Sequence, residues 1–141
     1  MVKFKFLAVL FAAFFALIGP SSASVVAKID VSKQRMNVIV NGKVAYTWKV
    51  STGRGRYRTP RGSFSPGRMH KRYFSKKYRG APMPNSIFFY KGYAIHGTNH
   101  ISRLGRPASH GCIRLHPSNA KKLFSLVKRH GKSNTKIRIT N

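Results

Sequence analysis

The chain has 141 residues, and its 28 lysines and arginines face a single acid, Asp30, for a formal charge of +27 at neutral pH. One carboxylate excludes a two-carboxylate glycosidase or an aspartic dyad within one chain, and it leaves calcium and magnesium short of the oxygen ligands they usually take. The charge predicts attraction to polyanions, whether nucleic acid, acidic glycans, lipid head groups or the bacterial cell wall.

Lys3 and Lys5 give a positive start, and an apolar run from Phe6 to Ile18 follows, too short to span a bilayer comfortably. Gly19-Pro20 and the small residues Ser21 to Ser24 come next, with Ser21 and Ala23 fitting a small-x-small cleavage rule. Residues 1–23 therefore read as a signal peptide cut after Ala23, the alternative being an uncleaved anchor; either places the remainder outside the cytoplasm. Losing Lys3 and Lys5 lowers the charge from +27 to +25. Residues 24–141 are about one domain long, with no internal repeat and no linker to divide them.

Residues 25–50 read as strands. "VVAKID" is followed by the turn-like "VSKQ", "RMNVIV" leads into Asn41-Gly42, a strong hairpin signal, and "KVAYTWKV" alternates beyond it. Gly53 to Gly67 reads as loops around a short segment at "GSF", and residues 68–81 are basic and aromatic without a period. "SIFFYKGYAIHG" reads as two short strands meeting at Lys91-Gly92, "TNHISRLGRPAS" as a loop and "HGCIRL" as strand-like. One helix is predicted, opening at Pro117, carrying an apolar stripe of Leu123, Phe124, Leu126 and Val127, and ending in Lys128, Arg129 and His130 before Gly131. "TKIRIT" closes the chain as a strand. The expected fold is mainly β, a β-sandwich-like domain with one α-helix in its C-terminal half.

Cys112 is the only cysteine, lying in "ASHGCIRLH". In an exported chain a lone cysteine implies an intermolecular disulfide or a free reactive thiol. Arg114, His110 and the positive field would favour its thiolate. In extended backbone, residues two apart share a face, so His110, Cys112 and Arg114 line one wall. Gly111 would let a substrate carbonyl approach the backbone N–H groups of Gly111 and Cys112, an oxyanion-hole geometry. His96 ends an apolar strand beside Gly97, a good place for a general base. With one acid in the chain, a backbone carbonyl or a hydroxyl would have to orient that histidine. On spacing alone, Cys112 reads more readily as a small buried hydrophobe and His96 as a structural histidine. His70, His100, His116 and His130 read as surface residues.

His96-Gly97-Thr98 followed by "LGRPASHGCIRL" (104–115) resembles the active-site signature of the L,D-transpeptidase catalytic domain. The resemblance extends to "IDVSKQRMNVIVNGK", "VSTG" (50–53), "TPRGSF" (59–64), "MPNSIFFYKGYAIHGT" (83–98), the helix and the last strand. It implies that Cys112 attacks the carbonyl between the diamino acid and the terminal D-alanine of a peptidoglycan stem tetrapeptide, forming a thioester. An amine from a second stem peptide, or an outer-membrane protein in some members, then takes the acyl group. His96 would move the proton, with His110 also in the catalytic group. Ser109 would hold the hydrogen-bond network, Gly111 and Cys112 would supply oxyanion donors, Gly97 would border the substrate, and Arg114 would contact a carboxylate or brace the site. No cofactor or metal is implied, and the expected location is the periplasm, at the wall. Some members carry Asn at the position of Arg114, and the short gap from His96 to Ser109 predicts a small loop over the site.

Three further readings stand beside this one. His96, His110 and Cys112 would make a three-ligand zinc set. "GRMHKRYFSKKYRG" (67–80) reads as a basic lid over the substrate groove, a solvated loop, or a nucleic-acid surface of interleaved cations and aromatics; no specific nucleic acid is expected. Finally, the chain could be an exported cationic protein that coats the wall or another polyanion without catalysis.

Overall fold

The computed structural model describes residues 2–3 and 23–141, so the predicted signal segment falls, but for Val2, Lys3 and Ala23, outside the described residues. Strand β1 (Val25–Asp30) buries Val25, Ala27 and Ile29 and leaves Lys28 exposed, the alternation of a sheet with one wet face. The turn after it leads to β2 (Arg35–Val40), which pairs antiparallel with both β1 and β3 (Lys43–Lys49). Asn41 and Gly42 join β2 to β3 with φ of 49° and 79°, the two positive angles that a tight primed turn demands. The last strand, β9 (Thr135–Thr140), lies parallel to β1, and β4 (Gly62–Phe64) pairs with its other edge. The sheet order is β3-β2-β1-β9-β4.

A second sheet has the order β5-β6-β7-β8, built from Met69–His70, Ser86–Tyr90, Tyr93–Gly97 and Ile113–Leu115. Strands β7 and β8 are parallel, with Ile95 opposite Ile113, His96 opposite Arg114 and Gly97 opposite Leu115. Helix α1 (Pro117–His130) presents Ala120, Leu123, Phe124, Leu126 and Val127 to the core. That core joins the inner residues of the first sheet to Ile87, Ile95, Ile113 and Leu115 of the second. The mainly β, sandwich-like fold, with one α-helix among the described residues, is thus as expected.

The alternation of β7 and β8 places the site. Because Ile95, Ile113 and Leu115 point inward, Ala94, His96 and Arg114 point to the outer face of the second sheet. A second apolar cluster of Met83, Phe88 and Ala94, with Tyr73 and Cys112 against it, covers part of that face. The histidines read as surface residues take more specific places. His116 caps α1, its Nδ1 accepting from the Ser118 N–H at 3.2 Å, and His70 stacks on Tyr73 with ring centroids 5.3 Å apart. His100 is exposed and lines the cleft described below. The predicted loop 98–109 holds one short 3₁₀ turn, Ile101–Arg103.

Candidate active site

His96 sits at the end of β7 and is 6% exposed. Its Nδ1 lies 2.7 Å from the Gly97 carbonyl oxygen. A carbonyl only accepts, so Nδ1 carries the proton and Nε2 keeps its lone pair. A backbone group therefore orients the ring where other enzymes use a carboxylate. Burial pushes the imidazole pKa down to about 4, the Gly97 carbonyl opposes this, and the Arg114 charge adds to it. The ring is neutral at pH 7.

Gly97 does not border the cleft, contrary to expectation. It is buried, its N–H donates to the Pro84 carbonyl at 2.9 Å, and a Cβ there would lie 3.1 Å from Pro84 Cγ and 3.2 Å from Pro117 Cα. The glycine lets β7 end flush against the start of α1.

Cys112 follows a tightly tied bend. Ser109 is buried, its N–H donates to the Thr52 carbonyl at 3.0 Å and its Oγ donates to the Cys112 carbonyl at 2.6 Å. The same Oγ accepts from the Gly111 N–H at 3.0 Å. Of the two predicted oxyanion donors, the one on Gly111 is therefore already engaged. Nor is the side-chain-free face of Gly111 open to substrate: φ is +120° and a Cβ would stand 2.5 Å from Tyr93 Cε1. Both expectations for Gly111 give way to a packing role, which only the long-range approach of Tyr93 reveals.

Residues that sequence reasoning did not single out complete this scaffold. The Thr59 hydroxyl donates to the Gly111 carbonyl at 2.8 Å and accepts from the Gly53 N–H at 3.0 Å. Gln34, also buried, accepts from the Thr52 N–H at 2.9 Å and donates to Thr52 Oγ1 at 2.6 Å. Thr52 and Thr59 lie in "VSTG" and "TPRGSF", so their positions were visible but their partners were not.

The expected pull of Arg114 toward the thiolate is present but outweighed. Burial pushes the Cys112 thiol above its ordinary pKa and outweighs the Ala94 N–H and Arg114, which pull it down. The resting pair is a neutral thiol and a neutral imidazole. Arg114 is half-buried; its Nη1 reaches the Ala108 carbonyl at 3.4 Å, a long contact that leaves most of its donors to the cleft. His110, predicted among the catalytic residues, lines the cleft, but its ring is held by aromatics. Tyr78 stacks on it with centroids 4.3 Å apart and planes at 13°, and Tyr57 meets it edge-on at 4.8 Å. Burial and then the charges of Arg54, Arg114 and Lys77 lower its pKa.

Tyr78 belongs to a hairpin-like lid over residues 71–85. The Ser75 N–H donates to the Ala81 carbonyl at 2.9 Å and the Met83 N–H to the Tyr73 carbonyl at 2.8 Å, with Phe74 bridging to Pro82. Between lid and sheet lies a cleft of about 250 Å³, lined by His96, Ser109, His110, Cys112 and Arg114 on one side and by Ser75, Tyr78, Pro82 and Met83 on the other. Thus His110, Cys112 and Arg114 do share a wall, through a bend and not a continuous strand. Among the described residues no three His, Cys, Asp or Glu side chains come together as a metal-binding set, which removes geometric support from the zinc reading.

A cysteine and a proton-free imidazole nitrogen on one cleft of a two-sheet domain define the class of protein to which this chain compares. The YkuD family model, the L,D-transpeptidase catalytic domain, matches residues 24–139, and the chain belongs to that family. A Bacillus subtilis (strain 168) protein named as an L,D-transpeptidase, YqjB, is 34% identical over 112 residues, covering 70% of this chain and 64% of its own. YkuD of the same organism is 26% identical over 103 residues, 70% of this chain and 58% of its own. The chain thus spans about three fifths of the length of these curated relatives. Among solved structures, the L,D-transpeptidase of Xylanimonas cellulosilytica superposes with a TM-score of 0.72 at 28% identity, over 86% of this chain and 63% of that one.

Proposed function

We propose that the chain is an exported cysteine acyltransferase that acts on peptidoglycan stem peptides, working in the periplasm at the cell wall. One observation carries the reading: the Cys112 thiol and the unprotonated Nε2 of His96 belong to one cleft in an L,D-transpeptidase catalytic domain.

As Sγ attacks the peptide carbonyl, Nε2 takes the thiol proton. The C–N bond breaks, the imidazolium returns that proton to the departing D-alanine nitrogen, and the acyl group remains on sulfur as a thioester. An acceptor amine then attacks the thioester, loses its proton to His96, and expels the thiolate, which is reprotonated. Since both groups rest neutral, charge arises only as the reaction proceeds. Arg114 is positioned to stabilise the sulfur anion then, while its free donors suit a substrate carboxylate. The acceptor is a second stem peptide or the amine of an outer-membrane protein.

The test is intact-mass spectrometry after exposure to a disaccharide tetrapeptide. The expected result is a gain equal to the donor minus D-alanine, absent from Cys112→Ser. A folded, reduced protein that forms no adduct and releases no D-alanine would overturn the reading in favour of a cationic wall-coating protein.

A further inference from the structure

The bend before Cys112 is tied from behind by a hydroxyl that takes no part in lining the cleft. Thr59 is 2% exposed. Its Oγ1 accepts from the Gly53 N–H and donates to the Gly111 carbonyl. A carbonyl only accepts, so the single hydroxyl proton is committed to Gly111. Gly53 is itself held firmly. It bridges to Ser109, the next residue's N–H donates to the Ser109 carbonyl at 3.0 Å, and a Cβ on Gly53 would stand 1.5 Å from the Tyr57 carbonyl oxygen. Thr59 therefore connects a rigid turn outside the cleft to the residue before the nucleophile.

The Gly111 carbonyl belongs to the same peptide unit as the Cys112 N–H. In a trans unit the two groups point in opposite directions. With the oxygen tied to Thr59, the N–H is turned away from Thr59, on the residue that lines the cleft with its thiol. The neighbouring groups are spoken for: Ser109 Oγ takes the Gly111 N–H and donates to the Cys112 carbonyl. Among the described residues nothing accepts from the Cys112 N–H. The run from Gly53 N–H through the Thr59 hydroxyl to the Gly111 carbonyl also polarises this peptide unit, which makes its N–H a stronger donor.

We propose that Thr59 is a positioning residue for acyl transfer, fixing the Cys112 N–H as a donor to the oxyanion. When Sγ adds to a carbonyl carbon, the thiol proton passes to His96 Nε2 and the carbonyl π pair moves onto oxygen. That oxygen accepts from the Cys112 N–H until the leaving group departs and the double bond re-forms. Thr59 touches neither substrate nor thiol and acts only through the Gly111–Cys112 peptide unit. The inference rests on the cysteine acyl transfer proposed above.

The test compares two reactions of Cys112 in the full chain at pH 8. Acylation by p-nitrophenyl acetate passes through an oxyanion and expels p-nitrophenolate; alkylation by iodoacetamide expels iodide and forms none. Thr59→Val keeps the shape and removes the hydroxyl, and Thr59→Ser keeps the hydroxyl. For Thr59→Val the expected result is acylation slower by about tenfold or more, with alkylation within about twofold of wild type. Thr59→Ser should restore acylation. A parallel fall in both reactions would mean that the hydroxyl only supports the fold or the thiol, and an unchanged acylation rate would mean that it supports neither; each overturns the proposal. Thermal melts verify folding. Should Thr59→Val not fold, Thr59→Ala against Thr59→Ser reads the same contrast with side chains of similar volume. The ester is no wall fragment, so a wild-type chain that shows the contrast but refuses a stem peptide supports this role and overturns the proposed substrate alone.

Discussion

The proton on His96 is held between a nitrogen and a main-chain oxygen, and the ring is almost wholly out of water. Its pKa falls from 6.5 unfolded to about 4 folded. Between those values the unfolded chain binds more protons, so the stabilisation is full above pH 6.5 and is lost as pH falls toward 4, by up to about 3 kcal/mol. Melting temperatures measured from pH 7 to pH 4 should drop steeply, and His96→Gln should flatten that limb. A flat wild-type profile would contradict the neutral-buried assignment. Arg114 pulls the thiol pKa down as it does that of the imidazole. Arg114→Gln removes a charge that favours the thiolate, and alkylation of Cys112 by iodoacetamide at pH 8 should slow by about tenfold for each unit by which the thiol pKa rises. Motif residues announce that His96 and Cys112 belong together, and a single acid in the chain already points to a main-chain carbonyl or a hydroxyl as the histidine's partner, of which the structure has the carbonyl of Gly97. The sign of the thiol's shift was not legible, because the balance depends on how deeply the fold buries the sulfur. The packing of Tyr93 on Gly111 was equally hidden, since 18 positions separate the two residues. Gly111→Ala should destabilise by several kcal/mol through both the positive φ and the Tyr93 contact, visible as a drop in denaturation midpoint.

The lid is the element in which sequence and fold differ most. Its strand-like hydrogen bonds join residues of a basic, aperiodic stretch, so neither a period of two nor one of 3.6 marks it. What fixes it is contact with other segments: Tyr78 on His110, and Tyr73 against Phe88 at 5.1 Å. An aromatic pair contributes about 1 kcal/mol, so Tyr78→Ala should open the lid more often without unfolding the domain. Hydrogen exchange should quicken across 71–85 by about fivefold while β7 and α1 keep their protection; unchanged exchange would remove the Tyr78 stack as the fastening. By contrast the β2–β3 hairpin, α1 and the alternating strands were readable, because local chemistry and tertiary packing agree there. Asn41-Gly42 supplies the turn, and Leu123, Phe124 and Val127 supply one face.

At the scale of the whole molecule, charge of one sign covers both faces. The proposed stem-peptide substrate bears carboxylates that this field would draw in, so raising salt from 0.05 to 0.5 M should increase KM severalfold with little change in kcat, as read from initial rates of the proposed D-alanine release. Full activity at high salt would show that the cationic lid and rim take no part in capture. The strand order has a different consequence. Strand β1, the first of the described domain, lies between β2 and β9, and its parallel partner is the last strand of the chain. The middle of the sheet thus joins residues 110 positions apart, Val25 with Thr135. Loop closure on that scale makes folding slow, and cooperative only once the end of the chain is present. A polypeptide emerging residue by residue has β2 and β3 early but no sheet centre until Thr135–Thr140 arrives, and meanwhile it stays open and threadable. For a protein whose export is proposed, the fold itself delays its own completion until β9 has been made.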